Sequence, residues 1–192
     1  MSGILPETQP PRRRATGFTG LPQMIALMLV LLADSLVASN FFHIVLQDGR
    51  LFGSPIDILN RAAPVAILAI GMTLVIATGG IDLSVGAVMA IAGAVAGALT
   101  VQGHGLALVL AAALGSGALA GLWNGVLVSV LKIQPFVATL ILMVAGRGVA
   151  QLITSGQIVT FDSPALSFLG SGTLLLLPTP VIIVLVMLAL FW

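Results

Sequence analysis

Few residues in this sequence could do chemistry, and one acid, Asp82, stands out among them. It follows paired glycines in the run Gly79-Gly80-Ile81-Asp82. The twenty residues 62–81 before it and the 49 residues 83–131 after it carry no formal charge when the histidine is neutral. A carboxylate in such a place is typical of a helix break that lines a path or pairs with another charge. A helix-capping aspartate in a short surface loop explains the same residues, and both interpretations stay open.

Arg147 is the second ionisable group inside an apolar stretch. It lies twelve residues past Pro135, which corresponds to about 18 Å along a helix. Such a depth favours a side chain that faces protein or water. If the break at Gly79-Gly80 dips into a bilayer, the least costly arrangement brings Asp82 near Arg147. Three amides, Asn124, Gln134 and Gln151, also lie in apolar surroundings, where they could bond across helices or to a polar solute.

Other kinds of site are poorly supported. The sole lysine, Lys132, follows a leucine, so no phosphate-binding loop of the Walker A type is present. Neither His43 nor His104 has a partner at metal-ligand spacing, and there is no cysteine. The only arginine cluster is 12–14, which excludes a basic stripe for nucleic acid. We therefore expect no catalytic residue, no metal, no cofactor and no nucleic-acid partner.

Composition indicates which elements must position these residues. Charged residues make up 7% and apolar residues 59% of the 192 residues, and the mean hydropathy is +1.20. Soluble domains carry roughly 25% charged residues. The sequence therefore predicts an all-α integral membrane protein, a polytopic helical bundle that lies in a lipid bilayer.

The apolar stretches predict five complete spans and a shortened sixth. Residues 1–20 are predicted to be a disordered cytoplasmic tail, and 21–192 a transmembrane domain that is incomplete at its C-terminus. The N-terminal arginines place the N-terminus in the cytoplasm. A polar connector is expected at 39–61 and a break at Gly79-Gly80, and the short apolar piece 173–177 cannot cross. The predicted spans are 21–38, 62–78, 85–101, 106–131, 135–154 and 180–192.

Glycines recur at four-residue spacing in the fourth predicted span, at Gly117, Gly121 and Gly125. Small residues at this spacing let helix backbones approach each other closely. We expect this ridge to be a helix-packing face.

Two blocks carry a family resemblance. The first runs from Ala69-Ile70-Gly71-Met72 into the segment around Asp82, and the second joins Gln134-Pro135-Phe136-Val137-Ala138-Thr139 to Ala145-Gly146-Arg147-Gly148. Together they resemble the membrane permeases of ribose-type sugar ABC importers. The segment 47–57 is most similar to the galactofuranose-importing branch of that family. The resemblance covers the chain from the first span onward, although the family's permeases are longer.

The resemblance implies a pore-forming, non-catalytic subunit of a bacterial inner-membrane importer for a monosaccharide. Its implied partners are an ABC ATPase, a second permease subunit and a periplasmic sugar-binding protein. The candidates for the substrate path are Asp82, Ser84, Asn124, Gln134, Thr139, Arg147 and Gln151.

Two other functions remain. One is a secondary transporter or channel that uses Asp82 as an ion or proton site at a broken helix. The other is a truncated fragment that does not transport.

Overall fold

The computed structural model describes residues 20–38, 41–47 and 49–191, so the tail predicted at 1–20 lies almost wholly outside the described residues. Helices dominate the described part of the chain. The elements in chain order are α1 (Leu21–Val37), β1 (Val45–Gln47), β2 (Arg50–Phe52), α2 (Ser54–Ala77), α3 (Val85–Val101), α4 (Leu106–Ser129), α5 (Pro135–Ile153), α6 (Pro164–Ser171), β3 (Thr173–Leu174), β4 (Leu177–Pro178) and α7 (Thr179–Phe191).

The chain divides into two compact units between His43 and Ile44. Helix α1 is the main element of the first unit, and Pro22 lies in its first turn, where its missing N–H is not needed. No residue of α1 is buried. The remaining elements form the second unit.

The predicted polar connector 39–61 is wrong in its second half. Strands β1 and β2 pair antiparallel with Gln47 opposite Arg50, and α2 then begins at Ser54. Pro55 in the first turn and the acid Asp57 both favour a helix N-terminus. Asp57 and Arg61 therefore lie on the first turns of α2, and Arg50 lies in β2.

The break after the second predicted span is confirmed. Helix α2 ends at Ala77, and Gly79 adopts a φ of +76°, a left-handed conformation in which L side chains are strained. The Gly80 N–H donates back to the Val75 carbonyl at 3.1 Å, which closes the helix end. Five residues later α3 begins at Val85, as the sequence predicts.

Helix α3 is the centre of the second unit, because it packs against both α4 and α5. Ile91 and Ala94 of α3 form a small core with Ala150 of α5, and Val95 and Ile153 pack against it. Helix α2 packs against α7, and α6 also contacts α7. Within the predicted mixed region 156–178, β3 and β4 form a second short hairpin.

Three of the described helices, α2, α4 and α5, are long and apolar enough to cross a membrane. The apolar helices α1, α3 and α7 have 17, 17 and 13 residues. Many large apolar side chains on these helices are exposed, for example Leu114 at 75% and Leu152 at 81%. Apolar helices with apolar outer surfaces are those of a membrane protein. The prediction of a helical membrane protein is confirmed, and the number of complete spans stays a prediction.

Candidate functional site

A chain of hydrogen bonds joins the break after α2 to α4. The Ser84 backbone N–H and the Ser84 hydroxyl both donate to Asp82 Oδ1, at 2.7 Å and 2.6 Å. The Asn124 Nδ2 amide donates to Ser84 Oγ at 2.9 Å. An aspartate that accepts from the backbone two residues ahead is the usual way for this residue to stabilise a turn. We call these three residues, Asp82, Ser84 and Asn124, the polar relay.

The polar relay is largely shielded from solvent. Ser84 is fully buried and Asn124 is 8% exposed, while Asp82 is partly buried. The Ser84 hydroxyl both donates and accepts, which satisfies the rule that buried polar groups must be hydrogen-bonded. Asn124 Oδ1 is the exception, since it has no hydrogen-bond partner among the described residues.

Thr139 of α5 adds a contact to the same break. Its buried hydroxyl lies 3.3 Å from the Ile81 carbonyl and 3.0 Å from the Pro135 carbonyl of its own helix. The Phe136 carbonyl also lies 3.3 Å from this hydroxyl, which has a single proton to donate, so the three carbonyls share it. The break is therefore held from α4 on one side and from α5 on the other.

The loop with Asp82 lies deeper than the ends of α4 and α5. Asn124 is five residues before the end of α4 at Ser129, and Thr139 is four residues after the start of α5 at Pro135. At 1.5 Å per residue these positions lie about 6–8 Å inside the helix ends. This depth favours the helix-break interpretation of Asp82 over the surface-loop alternative.

A cavity of about 650 Å³ opens beside the polar relay. Helix α2 lines one side with aliphatic residues that include Ile67 and Val75, and α4 lines another with Gly117, Gly121 and Gly125. Asp82, Ser84, Asn124 and Thr139 supply polar groups to the lining. Four of the seven predicted path candidates therefore meet at one cavity, and the sequence did not indicate that α2 forms part of it.

Of the predicted helix contacts along the glycine ridge, the described residues show one, at Gly117 against Val88 of α3. A Cβ atom at Gly121 or Gly125 would meet nothing within 4 Å, and one at Gly117 would lie 3.8 Å from Val88, an ordinary contact. These positions lie on the same face of α4 as Asn124 and line the cavity. The four-residue spacing of the glycines indicated an accessible backbone, but it did not indicate whether a helix or a cavity lies beside it.

The remaining three path candidates do not line this cavity. Gln134, Arg147 and Gln151 are exposed. The predicted meeting of Arg147 with Asp82 is not seen as an ion pair in the described part of the chain, where Asp82 bonds to Ser84 instead. The reason is helix phase: Gly146 faces α3, and the next residue turns away by about 100°.

The described residues contain no group of three or more His, Cys, Asp or Glu side chains that could hold a metal ion. In the cavity lining, Asp82 is the single formally charged residue. Apolar walls with a few convergent polar groups are typical of small-molecule sites. The arrangement suits hydrogen bonding to a neutral polar solute better than bond-making chemistry.

The sequence that builds this site matches a known family of membrane proteins. A family model described as the branched-chain amino acid transport system / permease component matches residues 54–192. The chain belongs to this family of transport permeases, as its two sequence blocks predict.

Individual relatives are sugar permeases. The chain is 75% identical over its whole length to the galactofuranose transporter permease protein of Escherichia coli K12, of which it covers 56%. It is 43% identical over 70% of its length to the fructose import permease of Bifidobacterium longum, and covers 38% of that protein. It is 40% identical over 82% of its length to the ribose import permease of Escherichia coli K12, and covers 48% of it. The chain thus spans about half the length of these relatives, and no solved structure matches it.

Proposed function

We propose that this chain forms the N-terminal part of the membrane-spanning permease subunit of an ABC importer that translocates a monosaccharide. The observation that carries the proposal is the 75% identity, along all 192 residues, to a permease whose name assigns it to galactofuranose. Relatives at 36–43% identity are named for fructose, ribose and xylose. Galactofuranose is therefore the first substrate to test.

The proposed importer includes partners that this chain does not supply. An ABC ATPase subunit would hydrolyse ATP, a second permease subunit would complete the path, and a periplasmic binding protein would deliver the sugar. The permease itself is non-catalytic in this proposal. Its only lysine follows Leu131 rather than the glycine of a phosphate-binding loop, which supports a separate ATPase.

The proposed topology places the protein in the bacterial inner membrane with a cytoplasmic N-terminus. The permease domain extends from residue 21, and the apolar helices α1, α2, α3, α4 and α5 act as complete spans, with α7 as the start of a sixth. Arg12, Arg13 and Arg14 support the cytoplasmic side for the N-terminus, because basic residues accumulate there. The Asp82 loop and Lys132 then lie on the cytoplasmic side, and His104 lies outside.

The proposed substrate path includes the cavity beside the polar relay, with Asp82, Ser84, Asn124 and Thr139 at its polar edge. Gln134, Arg147 and Gln151 are proposed as path residues outside this cavity. The proposal for these three residues rests on their residue type and their exposure alone.

A chimeric permease tests the proposal. Residues 1–192 would replace the matching part of the Escherichia coli relative in a strain that lacks its own galactofuranose permease. We expect uptake of labelled galactofuranose to be restored, and to be lost again when the partner ATPase carries an inactivating substitution. A chimera that inserts in the membrane at normal amounts but restores no uptake of galactofuranose, ribose or fructose would contradict the proposal.

A gradient-driven transporter that uses Asp82 as its ion site is the rival. The structure gives it little support, since Asp82 Oδ1 already accepts two hydrogen bonds from Ser84. Uptake that persists without a functional ATPase and follows a proton gradient would favour this rival.

A further inference from the structure

The cavity beside the polar relay has the size and lining of a ligand site. Its volume of about 650 Å³ falls within the roughly 300–1,000 Å³ of small-molecule pockets. Aliphatic residues and glycines form most of the lining, and the polar groups converge on one edge. The open space depends on Gly121 and Gly125, where a side chain would project into an otherwise empty volume.

Two hydrogen-bond acceptors at this edge remain unused. Asn124 lines the cavity and is 8% exposed, and its Oδ1 has no partner in the described residues. Asp82 uses Oδ1 for both bonds from Ser84, and within the described chain its Oδ2 accepts none. A buried acceptor without a donor is costly, so a hydroxyl that reaches it contributes favourably to binding.

The charge of the lining restricts the ligand further. Asp82 carries the one formal charge among the residues that line the cavity, and it is negative. A phosphorylated or otherwise anionic ligand would meet this carboxylate without a compensating cation. A neutral ligand with several hydroxyl donors meets acceptors instead.

We propose that this cavity binds a neutral polyol, the unphosphorylated sugar in transit, with Asp82 accepting its hydroxyl protons and Gly121 and Gly125 keeping the space open. This inference rests on the proposed function and adds a location and a charge class to it. The glycine ridge is thus a wall of the binding site, and the sugar is held by few polar groups. Weak holding suits a path, because a ligand must leave as readily as it enters.

The test fills the cavity from its glycine wall without altering the polar relay. The chimeric permease would be reconstituted in proteoliposomes with its ATPase and binding protein, and the sugar moved per ATP hydrolysed would be measured. Gly121→Leu should lower this ratio about tenfold, the effect of losing one good contact, while ATP hydrolysis continues. Gly121→Ala should lower it less. Gly115→Leu is the matched control, since Gly115 lies on the same helix, has open space around it and does not line the cavity.

Asp82→Asn tests the polar edge separately. The amide oxygen can still accept from Ser84, while an NH2 group, a donor, replaces the second carboxylate oxygen. We expect a lower ratio of sugar to ATP with an unchanged amount of protein. If the unsubstituted chimera moves no sugar, the proposed function fails. If it moves sugar but Gly121→Leu behaves like Gly115→Leu, the cavity site is overturned and the proposed function stands.

A third result would also overturn the inference. If Gly121→Leu and Gly121→Ala both lower the melting temperature and the amount of protein in the membrane, the glycine ridge packs against another segment of the permease. If Gly121→Leu fails to fold but Gly121→Ala folds with a lowered ratio, the cavity site is supported.

Discussion

Ser84 is the residue that connects the break after α2 to the rest of the bundle. It is fully buried, its hydroxyl donates to Asp82, and it accepts from Asn124, forty residues further along the chain. Cross-helix hydrogen bonds in membrane proteins contribute about 0.6 kcal/mol on average and up to about 1.7. One such bond, from Asn124, meets the local bond to Asp82 at the Ser84 hydroxyl oxygen.

Ser84→Ala should therefore lower the free energy of unfolding by about 1–3 kcal/mol, because it removes both bonds and leaves Asn124 without an acceptor. Thermal unfolding in detergent would measure the loss. Ser129→Ala is the control, since the exposed Ser129 hydroxyl bonds only to its own helix at Gly125. Equal melting temperatures for the two variants would show that the polar relay does not stabilise the fold.

Asp82 and Arg147 should behave as independent residues. They share no hydrogen-bond or ion-pair partner among the described residues, and substitutions at sites without shared contacts add within about 0.5 kcal/mol. The double variant Asp82→Asn/Arg147→Gln should lose the sum of the two single losses in unfolding free energy. Recovery of stability in the double variant would show that the two charges meet in the assembled permease.

At the scale of elements, the close helix contact lies between α3 and α5. A Cβ atom at Gly146 of α5 would come within 2.9 Å of Ala87 Cβ and 3.3 Å of Ile91 Cδ1, both on α3. Real Cβ atoms almost never lie that close to another carbon atom. The backbone of α5 therefore reaches α3 only because this residue is a glycine.

Gly146→Ala should consequently destabilise the protein by about 1–3 kcal/mol through overpacking, although alanine is the better helix former. Gly148→Ala is the matched control two residues away, where a Cβ atom meets nothing within 4 Å. We expect a lowered melting temperature for the first variant and an unchanged or slightly raised one for the second. A reversed order would mean that α3 and α5 do not pack as described.

These elements also show what sequence could and could not predict. Helix α3 matches its predicted bounds of 85–101, because glycines and a turn mark its ends. The start of α2 was missed because Asp57 and Arg61 suggested a connector, whereas Pro55 and Asp57 are also signals of a helix N-terminus. Whether a charged side chain faces a neighbour depends on helix phase. The sequence of α5 does not show which of its faces packs against α3, so the exposure of Arg147 could not be predicted.

The candidate site was predictable in part, because the positions of its residues relative to the predicted spans could be read from the sequence. Asp82, Ser84 and Thr139 lie at the ends of predicted spans, and residues at neighbouring ends of packed helices come together. Their hydrogen-bond partners were not predictable, because they depend on how deep the loop lies between α4 and α5. Glycine spacing on α4 predicted an accessible backbone, but the cavity exists only because α2 and α4 leave space between them.

At the scale of the whole molecule, the proposed membrane topology rests on the predicted spans and the basic N-terminus. His104 and Lys132 flank α4, a 24-residue helix that would be about 36 Å long. Single cysteines at these positions should react with a membrane-impermeant thiol reagent from opposite sides, with residue 104 accessible from outside intact cells. Labelling of both residues from the same side would contradict the topology.

The most direct test of the importer proposal is the energy source of uptake by the complete protein. Proteoliposomes would contain the full-length permease, its ATPase and its sugar-binding protein, with labelled sugar outside and nucleotide added on the ATPase side. The account predicts uptake that requires ATP and the binding protein and that is insensitive to collapse of proton and sodium gradients. Uptake that proceeds without ATP and stops when a gradient is collapsed would contradict it.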